Sequence, residues 1–145
     1  MFAELFQSKL FLSGFIALCF TQLIKMVVYS IKEKQLKIEN IFELAGMPST
    51  HTATVIALTT SVYYEQQVST LFIIGIFLSI YVIFDVLTAE RSIATHAHII
   101  NSFLKWIPGK RKFTPIRERW GHDPLEVAIG FVIGLFTSYF LYFYF

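Results

Sequence analysis

Charge is scarce in this sequence: Asp, Glu, Lys and Arg make up 15% of the 145 residues, whereas soluble domains carry about 25%. The net charge of +2 gives no reason to predict a nucleic-acid partner. The lone cysteine, Cys19, excludes a disulfide within the chain and a cysteine-based metal site. No small-residue cleavage site follows the first apolar run, so we interpret that run as a retained helix. The remaining composition, 55% hydrophobic and 17% aromatic, predicts one membrane-embedded domain over residues 1–145.

The sequence contains four long apolar runs. They cover residues 10–31, 48–64, 68–87 and 127–145, and a membrane helix needs about 20 such residues. Apolar residues at helical spacing in 89–107 indicate an amphipathic helix at the interface. The predicted fold is therefore an all-α integral membrane bundle of about four transmembrane helices plus one interfacial amphipathic helix. Gly130 and Gly134 predict close packing of the last helix, and so small a bundle leaves a homodimer open.

The basic residues predict the orientation of the bundle. Four passes place the links 32–47 and 89–123 on the same side of the membrane, and ten of the twelve Lys and Arg lie in these links. The positive-inside rule then places both links in the cytoplasm. The basic run 110–112 is interpreted as a contact with lipid headgroups or an orientation signal.

Unusual polar residues converge on that same side. Ser49 and His51 open the second span, Arg91 follows the end of the third, and His122 precedes the fourth. Lys25 lies about one and a half turns from the cytoplasmic end of the first span. Helix N-termini offer free N–H groups and a positive dipole end, so this arrangement predicts an anion site such as a phosphate site.

Two histidines near helix starts are typical of phosphoryl transfer through a covalent histidine, in which one attacks and the other protonates the leaving oxygen. Glu126, four residues after His122, could reach that imidazole and fix its tautomer. Purely structural interpretations remain open. Ser49 and the 123–126 segment could simply cap helices, Lys25 could snorkel to the interface, and Arg91 could pair with Asp85 or Glu90.

Three stretches carry a resemblance to a known family: GMPSTHTA at 46–53, GHDPLEV at 121–127 and the segment 85–101 with its Asp85, Arg91 and Asn101. Together they resemble the small divergent bacterial branch of the superfamily of type 2 phosphatidic acid phosphatases and vanadium haloperoxidases. The resemblance implies an enzyme of the bacterial cytoplasmic membrane that hydrolyses a phosphate ester without a metal or other cofactor. The family's pattern has Arg where Glu90 stands, and Gly where Thr50 stands.

The resemblance also implies roles for individual residues. His122 matches the nucleophile, His51 the general acid and Glu126 the residue that orients the nucleophile. The implied phosphate-binding residues are Lys25, Lys32, Ser49, Thr50 and either Arg91 or Arg117. Of the two arginines, Arg91 is the favoured one.

The leading hypothesis is a membrane phosphatase acting on a lipid phosphate monoester or pyrophosphate, with membrane lipids and a phosphorylated headgroup as its partners. The first alternative is a catalytically inactive membrane protein that binds an anionic headgroup or a partner, and the second is a transporter or channel subunit. His96 and His98 are two residues apart and point to different faces of a helix, so no shared metal site is predicted there.

Overall fold

The computed structural model describes residues 2–34, 46–106, 114–118 and 120–145, without the side chains of residues 2, 3, 32 and 33. Within these residues the chain forms six α-helices. They are α1 (Phe2–Leu5), α2 (Lys9–Glu33), α3 (Thr50–Gln66), α4 (Thr70–Leu87), α5 (Ala89–Leu104) and α6 (Pro124–Tyr144). The predicted all-α fold is confirmed. The basic run 110–112 and most of the 32–47 link lie outside the described residues.

Serine side chains mark where three of the long helices begin. Each accepts a hydrogen bond from the backbone N–H three residues later, which would otherwise lack an acceptor in the first turn. These serines are Ser8, Ser49 and Ser69. Helix α6 begins at Pro124, and the backbone N–H of Asp123 donates to Glu126 Oε2 at 3.3 Å. The capping interpretations of Ser49 and of the 123–126 segment are therefore confirmed.

Helix α3 lies at the centre of the bundle, where it packs against α2, α4 and α6. A Cβ atom on Gly130 would lie 2.5 Å from the carbonyl oxygen of Ser49, and one on Gly134 would lie 2.5 Å from that of Ala53. Glycine is required for so close an approach, so the predicted tight packing of the last helix is confirmed. This contact places the N-terminus of α3 beside the N-terminus of α6.

The interior of the bundle is rich in polar side chains and its outer surface is apolar, unlike a soluble domain. The buried Ser61 hydroxyl lies 2.6 Å from the Ser13 hydroxyl and 2.8 Å from the Ser138 hydroxyl, which joins α2, α3 and α6. On the outer surface Phe77 and Phe136 are 68% and 65% exposed. A hydrocarbon solvent explains both observations, because it accepts apolar side chains and leaves polar groups to satisfy one another within the protein.

Three helical segments of the described chain are long and apolar enough to cross a membrane: Lys9–Ile31, Thr70–Leu104 and Pro124–Tyr144. The second combines α4 and α5, which are separated by Thr88 alone. The remaining predicted span is α3, which has 17 residues and is the shortest of the four. The chain is therefore an all-helical membrane protein. The predicted amphipathic helix is α5, and its position at the interface stays a prediction.

Candidate active site

Two contacts hold His122 in place just before α6. Its backbone N–H donates to the carbonyl oxygen of Val86 at 3.1 Å, at the end of α4. The preceding residue, Gly121, has a φ of 80°, and a Cβ atom there would lie 2.8 Å from the backbone nitrogen of Arg91. Glycine therefore lets this loop pack directly against the first turn of α5. His122 is thus fixed where α4, α5 and α6 meet.

The two ring nitrogens of His122 have different surroundings. Nδ1 is hydrogen-bonded to Glu126 Oε2 at 2.9 Å, one turn further along the chain. Nε2 is buried and has no hydrogen-bond partner among the described residues. Because the carboxylate accepts a hydrogen bond from Nδ1–H, the tautomer it favours leaves the lone pair on Nε2.

Burial is the main cause of a lowered pKa for His122, since the imidazole is 1% exposed and desolvation disfavours its charged form. The hydrogen bond that His122 donates to Glu126 opposes this shift, and the positive charge of Lys25 reinforces it. The balance keeps the imidazole neutral at neutral pH. A neutral, oriented imidazole with an unpartnered Nε2 is chemically a nucleophile.

His51 lies close to the His122 ring, in the first turn of α3. The two imidazole centroids are 6.0 Å apart and their planes meet at 72°. The Nδ1 atom of His51 is buried without a hydrogen-bond partner among the described residues, and it lies 3.9 Å from Glu90 Oε1. The structure therefore brings together the two histidines that the sequence placed on one side of the membrane.

A cavity of about 310 Å³ opens beside His51. Its walls come from α2, α3 and α4 and are largely aliphatic. They consist of Leu18, Gln22, Lys25, Thr50, His51, Thr54, Val55 and Val82. The Lys25 side chain is 1% exposed. Its amino group therefore lies in the interior of the bundle, in the same cavity wall as His51. A buried cation beside an apolar cavity is suited to a ligand with an anionic end and a hydrocarbon body.

A second, polar cavity of about 170 Å³ lies beside His122. It is lined by Gly46, Arg91, Trp120, Gly121, His122, Asp123 and Glu126. The Arg91 guanidinium also lies 3.7 Å from Asp123 Oδ1, a pair in which both side chains are more than half exposed. Arg117 lines neither cavity and instead stacks over the Trp120 ring at 5.6 Å. Of the two arginines left open by the sequence, Arg91 is the one beside His122.

The backbone N–H of Ser49, one of the donors considered for phosphate, is engaged within the protein. It donates to the carbonyl oxygen of Glu126 at 3.0 Å, and the Ser49 hydroxyl accepts from Thr52. Ser49 is fully buried and fixes α3 against α6, so its backbone N–H is not available to a ligand. The Thr50 hydroxyl lines the apolar cavity but donates to Gln22 Oε1 at 3.1 Å. The side chain of Lys32 lies outside the described residues.

Two further residues belong to the site. Glu90 lies beside His51, and its charge also raises the pKa of His122. In the sequence it is notable as a departure from the family pattern, which has Arg at this position. Asn101 fixes the position of the segment around Ile116, which precedes His122 in the chain. Its Nδ2 donates to the Ile116 carbonyl oxygen at 2.6 Å, and its Oδ1 accepts from the Ile116 N–H at 2.8 Å. Its retention in the middle motif was the signal that could have revealed this role.

Comparison with known proteins identifies the family. The sequence profile of the divergent PAP2 family matches residues 6–137. The chain belongs to the divergent PAP2 family. It is also 30% identical over 156 residues to the uncharacterized membrane protein YuiD of Bacillus subtilis (strain 168), an alignment that covers 98% of this chain and 99% of YuiD. No solved structure matches the chain.

The region matched to the divergent PAP2 family contains the whole candidate site, from Lys25 in α2 to Glu126 in α6. The resemblance predicted from the three motifs is therefore confirmed at the level of the family. Together with the helical fold, it shows a PAP2-related membrane protein.

Proposed function

We propose that this member of the divergent PAP2 family is a membrane phosphatase that hydrolyses a lipid phosphate monoester or pyrophosphate through a phosphohistidine. The observation that carries the proposal is the state of His122. Its Nδ1 is hydrogen-bonded to Glu126, its Nε2 is buried without a partner among the described residues, and its ring centroid lies 6.0 Å from that of His51. This is the arrangement that a nucleophile and a general acid on opposite sides of a phosphoryl group require.

In the first step the Nε2 lone pair of His122 attacks phosphorus and forms a P–N bond. The bond between phosphorus and the leaving oxygen breaks, and the oxygen takes a proton from His51 to leave as an alcohol or as a shorter phosphate. The imidazole of His122 becomes cationic as it attacks, and Glu126 stabilises that charge through the hydrogen bond to Nδ1. In the second step His51 takes a proton from water, the water oxygen attacks phosphorus, and the P–N bond breaks to release inorganic phosphate.

Two cationic side chains bind the anionic phosphoryl group in this proposal. Arg91 lines the polar cavity beside His122, and Lys25 lines the apolar cavity beside His51. A phosphoryl group between the histidines would lie between these two charges, where each can donate charge-assisted hydrogen bonds. Preorganised donors of this kind stabilise the equatorial oxygens of the transition state.

The apolar cavity favours a lipid substrate. It adjoins His51, the residue that protonates the leaving group, so the leaving group is the part of the substrate that extends between the aliphatic walls. Phosphatidic acid, phosphatidylglycerophosphate and a polyprenyl phosphate or pyrophosphate all combine an anionic end with hydrocarbon. The excess of Lys and Arg in the links 32–47 and 89–123 supports a site that faces the cytoplasm of a bacterial inner membrane.

The direct test uses purified protein in detergent with a panel of these lipid phosphates. Wild type is expected to release phosphate, and His122→Ala is expected to lose the release entirely because no nucleophile remains. His96→Ala, which changes an exposed histidine on α5, is the matched control and should keep full activity. Vanadate is expected to inhibit, since it mimics five-coordinate phosphorus. Headgroup binding without phosphate release from any lipid would contradict the proposal and favour a non-catalytic binding protein.

A further inference from the structure

The gap between the two histidines also holds a carboxylate that has no part in the proposed hydrolysis. One ligand atom from each of His51, Glu90 and His122 lies within 4.8 Å of those of the other two. The Glu90 side chain is 19% exposed and the His122 side chain is fully buried. Two imidazoles and one carboxylate around a common point are a donor set that divalent transition metals favour. We propose that His51, Glu90 and His122 form a binding site for a divalent transition-metal ion of the Zn²⁺ type.

Two of the three donors lack any other partner in the described structure. His122 Nε2 and His51 Nδ1 are both buried and accept or donate no hydrogen bond there. Buried polar atoms are nearly always satisfied, so two of them facing one gap indicate a ligand that completes both. A metal ion can do so with a single atom.

The surroundings of His122 match those of a metal-bound imidazole. Histidine ligands usually donate the second ring N–H to a carboxylate, which fixes the tautomer and makes the coordinating nitrogen more basic. Glu126 holds this position, with its Oε2 atom 2.9 Å from Nδ1. The nitrogen left to coordinate is Nε2, which is buried and has no hydrogen-bond partner among the described residues.

The local charges are also compatible with a cation. The negative charges of Glu90 and Glu126 both favour a cation at His122 and oppose the positive charge of Lys25. Glu90 stands where the family pattern has an arginine, so the local charge differs from that of a site built only for phosphate. A carboxylate at this position attracts a divalent cation, whereas an arginine would repel it.

A small inward movement of the side chains would bring the ligand atoms to the distances that a metal ion requires. Zinc binds His nitrogen at about 2.0–2.1 Å and carboxylate oxygen at about 2.0–2.2 Å, so ligand atoms of a tetrahedral site lie roughly 3.3 Å apart. The His51 Nδ1 to Glu90 Oε1 distance is 3.9 Å, and rotation of the partly exposed Glu90 side chain can shorten it. Three protein ligands leave a fourth position open for water or an anion.

The ion and the phosphohistidine cannot coexist, because the Nε2 lone pair of His122 either coordinates the metal or attacks phosphorus. Metal binding is therefore expected to inhibit hydrolysis. This consequence rests on the proposed function, whereas the metal site itself rests on the side-chain arrangement alone.

The test measures binding without any substrate. Full-length protein in detergent is stripped with a chelator and dialysed against ZnCl₂ in phosphate-free buffer, and bound metal is measured by elemental analysis. Wild type should hold one Zn²⁺ per chain. The near-isosteric Glu90→Gln and the variant His122→Ala should each weaken binding at least tenfold, about the scale on which ligand-shell changes act. The double variant His96→Ala/His98→Ala removes the exposed histidines of α5 and should bind like wild type.

Two results would overturn the metal site: no stoichiometric Zn²⁺ on wild type, or equal affinity in wild type, Glu90→Gln and His122→Ala. Co²⁺ titration provides an independent readout, because the visible absorption of bound Co²⁺ depends on its ligands. The absorption spectrum of the Co²⁺-loaded Glu90→Gln variant should therefore differ from that of the wild type, whatever the effect of the substitution on folding. The two proposals fail separately. Hydrolysis without metal binding refutes the site alone, and metal binding in the predicted pattern without hydrolysis refutes the phosphatase alone.

Discussion

At the scale of single residues, the chemistry depends on how His122 is held. Burial removes water from the ring, Glu126 occupies Nδ1, and the same carboxylate oxygen also accepts the backbone N–H of Asp123. The side chain is therefore fixed in both orientation and tautomer before a substrate arrives. Preorganisation of this kind lowers the cost of reaching the transition state.

Glu126→Gln should reduce kcat by about 10- to 1,000-fold, because an amide can hold the imidazole but cannot stabilise the cationic ring formed during attack. The measurement is steady-state phosphate release from the preferred lipid, with thermal unfolding recorded in parallel. Glu118→Gln is the matched control, since Glu118 is an exposed carboxylate that is hydrogen-bonded to His98 and Asn101. A kcat equal to that of wild type in Glu126→Gln would show that this carboxylate plays no part.

The pH dependence of kcat/KM should reflect the lowered pKa of His122. The nucleophile must be neutral, so kcat/KM is expected to fall as the pH falls through a pKa that burial has moved below the ordinary value of 6.5. Glu126 raises this pKa, and Glu126→Gln should therefore move the same acidic limb to still lower pH. A Glu126-dependent limb centred above pH 6.5, or a shift in the opposite direction, would contradict this assignment.

At the scale of helices, the site depends on the contact that α3 makes with α6. The two helix starts carry His51 and His122, and they approach because Gly130 lies against the Ser49 carbonyl and because Ser49 N–H bonds to the Glu126 carbonyl. The distance between the imidazoles is thus set by backbone packing. A change in that packing should affect both stability and activity.

Gly130→Ala should destabilise the bundle by about 1–3 kcal/mol and reduce activity, because the new Cβ atom would lie 2.5 Å from the Ser49 carbonyl oxygen and force α6 away from α3. Thermal unfolding in detergent and phosphate release measure the two effects. Val132→Ala changes an exposed residue of the same helix and should shift neither by a comparable amount. Wild-type stability in Gly130→Ala would mean that the helices are less tightly packed than the structure indicates.

At the scale of the whole molecule, the sequence predicted the helices well and the site less completely. Apolar runs and serine caps are local signals, so the predicted spans agree with α2, α3, α4 and α6 to within a few residues. The engagement of the Ser49 amide by α6 and the approach of Glu90 to His51 are tertiary contacts, which no local pattern encodes. The choice between Arg91 and Arg117 likewise required coordinates, because it depends on how the loop before His122 folds back.

The orientation of the bundle can be tested by cysteine accessibility in a Cys19→Ser background. A membrane-impermeant maleimide should label Gln66→Cys in intact right-side-out spheroplasts, because the turn after α3 lies outside the cell if the basic links are cytoplasmic. Ser92→Cys, an exposed position on α5, should react only after permeabilisation. The reverse labelling pattern would place the site on the outer face.

The covalent intermediate provides the most direct test of the central claim. Wild-type protein is mixed with a lipid phosphate that it hydrolyses, quenched at alkaline pH within the first turnover, and digested for mass spectrometry. The account predicts one added phosphoryl group on the peptide that contains His122, attached to the imidazole, and no such group in His122→Ala. Hydrolysis that continues at the wild-type rate in His122→Ala, or a phosphoryl group found only on another residue, would contradict it.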